Sequence, residues 1–251
     1  MPRRQPVVSA VASQDWQTLS TKRRIEQAAL QLFAAKGFEA TGIREIADRA
    51  GISTAALYHY MGSKEELLID FMLVSMSQLT RVAQRALAGA VGPAAELATL
   101  VRAHVGFHTL DPQRSLVADD ELRALSEAAF AQVTLLRDAY EELWASTLER
   151  GVRGGVFRFP DARITRLALL EMCNGVGRWY SGSGPLRPGQ IADGFTELAL
   201  AMVGASCGDR PARLDDLRCL PTGQLLELVE QELLDPLPEA PGALTPPAGV
   251  A

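Results

Sequence analysis

The side chains best equipped for chemistry near the amino end stand in one short run, TAALYHYM, where Thr54, Ala55, Ala56, Tyr58, His59 and Tyr60 follow one another. They are small, hydrogen-bonding or aromatic. Residues of these types let a helix approach base edges closely, touch thymine methyls and bond phosphate oxygens, so the chemistry they point to is the non-covalent reading of a duplex. Ser53 opens the run and, like Thr54, can cap the helix. Lys64 stands in the first turn of the following helix, where the helix dipole favours acids, so its charge makes better sense against a phosphate.

Flanking residues must position this run. Thr41 is a good N-cap, and Ile43, Ile46, Ala47 and Ala50 recur at helical spacing, which predicts a short helix with one buried face. Gly51 supplies the left-handed turn after it, and Ile52 is the apolar plug that seats the turn. Leu57 is the core anchor of the second helix, Gly62 breaks that helix, and Ser63 with Glu66 forms a capping box for a third. Such a glycine-cornered helix pair also occurs in proteins that touch no nucleic acid. Charge separates the two readings. Through residue 64 there are nine Lys and Arg against five acids, a surplus of four, whereas the whole chain totals −5, so the remainder holds −9. A basic head on an acidic body suits a phosphate-binding module carried by a non-binding one.

The order FAAKGFEATGIREIADRAGISTAALYHYMGSKEELL, over about residues 20 to 70, resembles the amino-terminal domain of TetR-family transcriptional regulators. The resemblance implies that Thr41 and Arg44 hold phosphates. It also implies that Thr54, Ala55, Ala56, Tyr58, His59 and Tyr60 face the major groove, with Lys64 on the backbone.

Composition supports a helical protein: 47% of the 251 residues are apolar, with aromatics only 6%. There is no run of about 18 apolar residues and no leader pattern, so no membrane role and a cytoplasmic location, at the nucleoid through DNA, are expected. Cys173, Cys207 and Cys219 are an odd number without metal spacing, which predicts buried or inert thiols and no metal cofactor. Residues 1–17 read as a flexible arm and 18–64 as the helix-turn-helix domain. Residues 65–207 read as a ligand-binding and dimerisation domain. The first helix is expected from Ser20 to Gly37 with Ile25, Ala28, Ala29, Leu32 and Phe33 inward, and Phe33 with Phe38 seating the corner on it. A connector follows from Ser63 for about 25 residues. Further helices are expected near 93–110, 119–125, 127–150, 161–181 and 188–206. Seven of the chain's 14 prolines fall in 208–251, which predicts a tail bearing one short amphipathic helix at 222–234. The predicted fold class is therefore all-α.

In the second half, Glu171, Asn174 and Arg178 fall at i, i+3 and i+7, a polar line on a helix whose Leu167, Ala168, Leu170 and Met172 read as core. The line is either a solvated or interface stripe, or the specificity-setting wall of a ligand cavity or dimer seam. Gly175 and Gly177 beside Trp179 and Tyr180 favour close approach by a helix or flat ligand. His104 and His108, flanking Phe107, have metal-binding i, i+4 spacing but no third ligand, so pocket or interface histidines are the better reading. EMCNGVGRWYSGSGPL, RAHVGFHTL and the run 136–157 resemble the ligand domain of TetR-type repressors that respond to acyl-coenzyme A thioesters in fatty-acid or steroid catabolism, although Ser181 follows Tyr180 where that group has arginine. The resemblance implies that Trp179 and Tyr180 line the mouth of an acyl pocket. It makes Arg102, Arg123 and Arg178 candidates for the CoA phosphates.

Two other classes of function fit the residues less well. The Asp119, Asp120, Glu121 cluster could supply acid-base carboxylates to an enzyme, but it falls where a helix N-terminus is expected and the dipole explains it. GVRGG at 151–155 lacks the ending of a phosphate loop and follows no strand. An interaction module without DNA leaves the basic head unexplained. The expected function is a homodimeric, ligand-responsive repressor on a palindromic operator. A TetR-type regulator of a different apolar ligand, such as an efflux-pump regulator, is the alternative.

Overall fold

The structure is a computed structural model that describes residues 16–234. The proposed arm, apart from Trp16 and Gln17, and the end of the tail beyond residue 234 lie outside the described residues.

The head is built from α1 (Thr21–Lys36), α2 (Ile43–Ala50) and α3 (Thr54–Tyr60). Ser20 caps α1 by accepting from Arg23 N. On α1, Ile25, Ala28, Ala29, Leu30 and Phe33 are buried, and the rings of Phe33 and Phe38 lie 5.4 Å apart at the corner. Gly51 has φ 72°, the left-handed conformation the α2–α3 turn requires. The cap of α2 is not Thr41 but Gly42, whose N–H donates to Glu45 Oε2. Thr41 is instead buried, its hydroxyl donating to Gly37 O at 2.8 Å. The threonine closes the α1–α2 loop from within, so a glycine backbone is left to start the helix.

From Ser63, which accepts from Glu66 N, α4 (Lys64–Leu87) runs out of the head into the body. Its first half, Leu67, Leu68, Phe71 and Met72, belongs to the head core. Its second half, from Met76 through Leu79, Val82 and Ala86, belongs to the body core. The body comprises α5 (Pro93–Leu110), α6 (Pro112–Asp120), α7 (Glu127–Arg153), α8 (Ala162–Asn174), α9 (Val176–Trp179) and α10 (Pro188–Met202). Its centre is α5, buried along nearly its whole length between α4, α7, α8 and α10.

Three expected helices differ. The segment predicted at 119–125 starts earlier, as α6, because Asp111 accepts from Arg114 N and Pro112 occupies the first turn; only a 3-10 turn, Leu122–Ala124, follows. Asp119, Asp120 and Glu121 therefore stand at a helix C-terminus, and the dipole account of them fails. The helix predicted at 161–181 breaks at Gly175 into α8 and α9. The one predicted to reach 206 stops at Met202, and the chain enters a small antiparallel hairpin pairing Ser206 with Pro211.

The proline-rich segment is not all tail. Its helix α11 (Thr222–Leu234) seats Leu225, Val229 and Leu233 in the body core against α4 and α5. Glu232, also buried, receives hydrogen bonds from Arg81 and Arg85, and Gln78 Nε2 donates to its carbonyl at 2.6 Å. Proline content marks the loops that lead to this helix, and the helix itself has none. Of the cysteines, Cys173 is buried, Cys219 half-buried and Cys207 exposed on the hairpin.

Candidate nucleic-acid interface and ligand cavity

Leu57 alone on α3 is fully enclosed, which turns the rest of that short helix outward. Tyr58 and Tyr60 are about half exposed, at 54% and 51%, and Ala55, His59 and Arg44 are exposed beside them. Two exposed tyrosines on one short helix, each with a hydroxyl to donate or accept, suit a surface that meets a partner. Ser53 caps α3, its Oγ accepting from Ala56 N at 3.1 Å, so its side chain is occupied in shaping the helix. Thr54 and Ala56 are half-buried on the flank. Lys64 reaches under the head rather than away from it. Its ammonium donates to Phe38 O at 2.8 Å and Thr41 O at 3.0 Å and lies 4.1 Å from the Phe38 ring centroid. An ammonium has three N–H donors, so one remains for a phosphate. Thr41, enclosed at 2% exposure, does not share that surface.

The second site is a cavity of about 130 Å³ where five helices meet. Ser75, Met76 and Leu79 come from α4, His104, Phe107 and His108 from α5, and Ser115, Ala118 and Asp119 from α6. Arg137, Tyr140 and Glu141 of α7 with Leu167, Leu170, Glu171 and Asn174 of α8 complete it. The predicted residues His104, Phe107, His108, Glu171 and Asn174 are thus brought together.

The other five are not. Arg102 is buried one turn away, its guanidinium donating to Leu220 O, Thr222 Oγ1 and Ala98 O and contacting Cys219 Sγ, so it fastens the segment leading to α11 and is not available to a ligand phosphate. Arg123 is exposed after α6, and Arg178 donates to Asp120 Oδ1 at 2.9 Å across α9 and α6. Tyr180 is buried in the body core, and Trp179 is 52% exposed with its ring stacked on Phe195 at 6.2 Å. The break at Gly175 turns both aromatics away from the cavity. Leu167 and Ala168, read as core, are exposed on α8, although Leu167 also borders the cavity.

The electrostatics of the cavity follow from burial. His104 Nε2 lies 2.8 Å from Asn174 Oδ1 and its Nδ1 3.0 Å from the Tyr140 hydroxyl. His108 stacks on His104, ring centroids 4.6 Å apart. Burial pushes both imidazoles down to about 3; His108 adds to the shift of His104, and Arg137 and Arg178 to that of His108, so both rings are neutral. Asp119 accepts from Arg137 at 2.8 Å, yet burial outweighs that partner and raises its carboxyl above the usual range. Among the described residues no group of three or more His, Cys, Asp or Glu is placed to hold a metal.

Asp119, Arg137 and Tyr140 were missed. Tyr140 sits in the apolar stripe of α7 and reads as core, and the Asp119–Arg137 pair joins different helices, leaving no local spacing to find. Only the acidic cluster hinted at it.

Comparisons with known proteins agree with both halves. Residues 25–71 match the description "Bacterial regulatory proteins, tetR family", and residues 90–203 match "Tetracyclin repressor-like, C-terminal domain". The chain is 30% identical over 201 residues to the HTH-type transcriptional repressor KstR2 of Mycolicibacterium smegmatis, spanning 78% of this chain and 97% of that one. It superposes with a TM-score of 0.70 and 31% identity on a tetR-family regulatory protein from Rhodococcus RHA1, covering 76% of this chain and all of the other. A further likeness, of fold alone at 23% identity, is to AibR crystallised with isovaleryl coenzyme A and operator DNA, with a TM-score of 0.66 over 71% of this chain and 97% of that one. With a helix-turn-helix head, an all-α body and relatives that are regulators rather than enzymes, this chain belongs to the TetR family of bacterial transcriptional regulators.

Proposed function

We propose that the chain is a ligand-responsive repressor that binds a palindromic operator as a homodimer and lets go when an acyl-CoA thioester, or a comparable amphipathic catabolic intermediate, enters the body cavity. The observation that carries this is the position of α4. One helix supplies core residues to the head through Phe71 and Met72 and wall residues to the cavity through Ser75, Met76 and Leu79. A ligand that repositions the second half displaces the first. The ligand must bind the displaced state more tightly, since equal affinity for both states shifts nothing.

The dimer face is assigned to α8 and α10, where Ile164, Leu167, Leu198 and Met202 are exposed at 68%, 45%, 57% and 41%. A face of that kind on adjacent helices suits an isologous four-helix contact. Symmetry then sets the two α3 helices apart by roughly 34–36 Å or a multiple, to meet successive major grooves. A head and a body joined through α4 serve this division of labour, and such a regulator works in the cytoplasm on double-stranded DNA. No described helix is long and apolar enough to cross a membrane. The repressor named KstR2 and the CoA complex of AibR support the reading by likeness. A cavity of about 130 Å³ encloses only a small acyl fragment, which leaves a CoA nucleotide outside it.

The test is a thermal-shift screen of the full chain against free CoA, straight-chain acyl-CoAs and ring-derived CoA thioesters, because a ligand that binds only the folded state raises the melting temperature. A shift with one class, followed by release from the operator, is the expected result. No shift with any of them sinks the CoA effector and leaves the regulator standing.

A further inference from the structure

Tyr140, His104 and Asn174 form a hydrogen-bond chain whose direction is set by chemistry. Asn174 Oδ1 can only accept, so His104 Nε2, 2.8 Å away, must hold the ring proton; Nδ1 is then a lone pair and accepts from the Tyr140 hydroxyl at 3.0 Å. The amide oxygen of Asn174 is thereby held, and its amide nitrogen, on a residue lining the cavity, has no hydrogen-bond partner among the described residues. Next to this chain His108 is 4% exposed and stacked within 6° of parallel on His104. It too has no hydrogen bond. Its Nδ1 is enclosed on the α9 side, 3.3 Å from where a Cβ at Gly177 would lie, which leaves Nε2 as the nitrogen for the cavity. The Asn174 amide nitrogen and His108 Nε2 are not enclosed by protein, and both residues line the cavity, so these two groups are free to take a partner that arrives with the ligand.

We propose that the inner end of the cavity is an oxygen-reading subsite, in which the Asn174 amide donates to, and the His108 imidazole hydrogen-bonds with, one neutral carbonyl or hydroxyl oxygen on an otherwise apolar ligand. Met76, Leu79, Phe107 and Leu170 supply the apolar surroundings. A carboxylate is disfavoured there. The one Arg or Lys among the lining residues, Arg137, is already held by Asp119 Oδ1 and Ala118 O, and Asp119 itself would repel it. The inference deepens the reading of this cavity as the effector site and rests on it.

The probes are cyclohexanone and methylenecyclohexane, rings of nearly one shape that differ in an acceptor oxygen against a CH₂. The chain has three histidines, so a spectrum of the intact protein labelled with ¹⁵N-histidine resolves three rings. Cyclohexanone at millimolar concentration is expected to move the His108 Nε2 signal and to bind roughly tenfold more tightly than the alkene, the gain of a typical hydrogen bond. Asn174→Leu, checked for folding by its melting curve, is expected to bring the two probes to near parity. Equal binding to the wild-type protein, no binding by either probe, or a preference that survives Asn174→Leu overturns the subsite. If that variant does not fold, the wild-type pair decides alone. Because neither probe contains CoA, failure here leaves the CoA reading intact, and failure of the CoA screen leaves this result standing.

Discussion

His104 and His108 are neutral because the protein withholds water from them, and that has a measurable consequence. Each is protonated below about 6.5 when unfolded but only near 3 when folded, so the unfolded chain binds more protons between those values and stability falls as pH falls through that window. The slope is roughly 1.4 kcal/mol per pH unit for each histidine. Asp119, its carboxyl raised by burial, acts with the opposite sign, so the useful quantity is a difference. His108→Gln should flatten the dependence of the unfolding free energy on pH between 6.5 and 5 by about that amount, measured by urea titration; a parallel curve would mean the ring is hydrated. In the head, Tyr58→Ala should weaken operator binding without changing the melting temperature. Lys64→Ala should do both, since its ammonium ties Phe38 O and Thr41 O together; the cost is about 1–2 kcal/mol. An unaltered melting temperature for Lys64→Ala would make it a phosphate contact alone.

At the scale of elements, α4 is gripped from two sides at one level. The cavity touches Ser75, Met76 and Leu79, and α11 holds Gln78, Arg81 and Arg85 through Glu232. Burial opposes ionisation of Glu232, yet hydrogen bonds from Arg85 and Arg81 keep its carboxyl below the usual range. Removing one member of a wholly buried ion pair costs several kcal/mol. Here the arginines are partly exposed and return to water, so Glu232→Ala should cost about 2 kcal/mol. Chemical denaturation checks this, with Arg81→Ala and Arg85→Ala combined as the control for additivity; unchanged stability would make the α11 dock peripheral. Prolines dominate the composition of 208–251 and make it resemble a tail, whereas the apolar spacing of Leu225, Val229 and Leu233 is what docks α11 on the body. The register of that helix was legible, but its destination was not.

For the whole molecule, the exposed apolar face on α8 and α10 predicts obligate pairing. Leu198→Glu should yield a monomer by light scattering and lose operator affinity by more than tenfold, because two heads no longer bind as one. A variant that stays dimeric would move the interface elsewhere. What the amino-acid sequence determined by itself is the local part: the helix-turn-helix, its Gly51 turn, the caps at Ser20, Ser53 and Ser63, and the bounds of α5 and α11. These depend on residues within a turn or two of one another, so backbone geometry and spacing suffice. The outward turn of Ala55, Tyr58, His59 and Tyr60 on α3 belongs with them, since one buried leucine in a short helix settles which way they point. The tertiary structure alone decided the cavity. Its Asp119–Arg137 pair, the Tyr140–His104–Asn174 chain and the withdrawal of Arg102 and Tyr180 into the interior all join side chains from different helices. Whether a polar residue on a helix faces water, a partner or a void is set by what packs opposite it, and no spacing along one helix contains that.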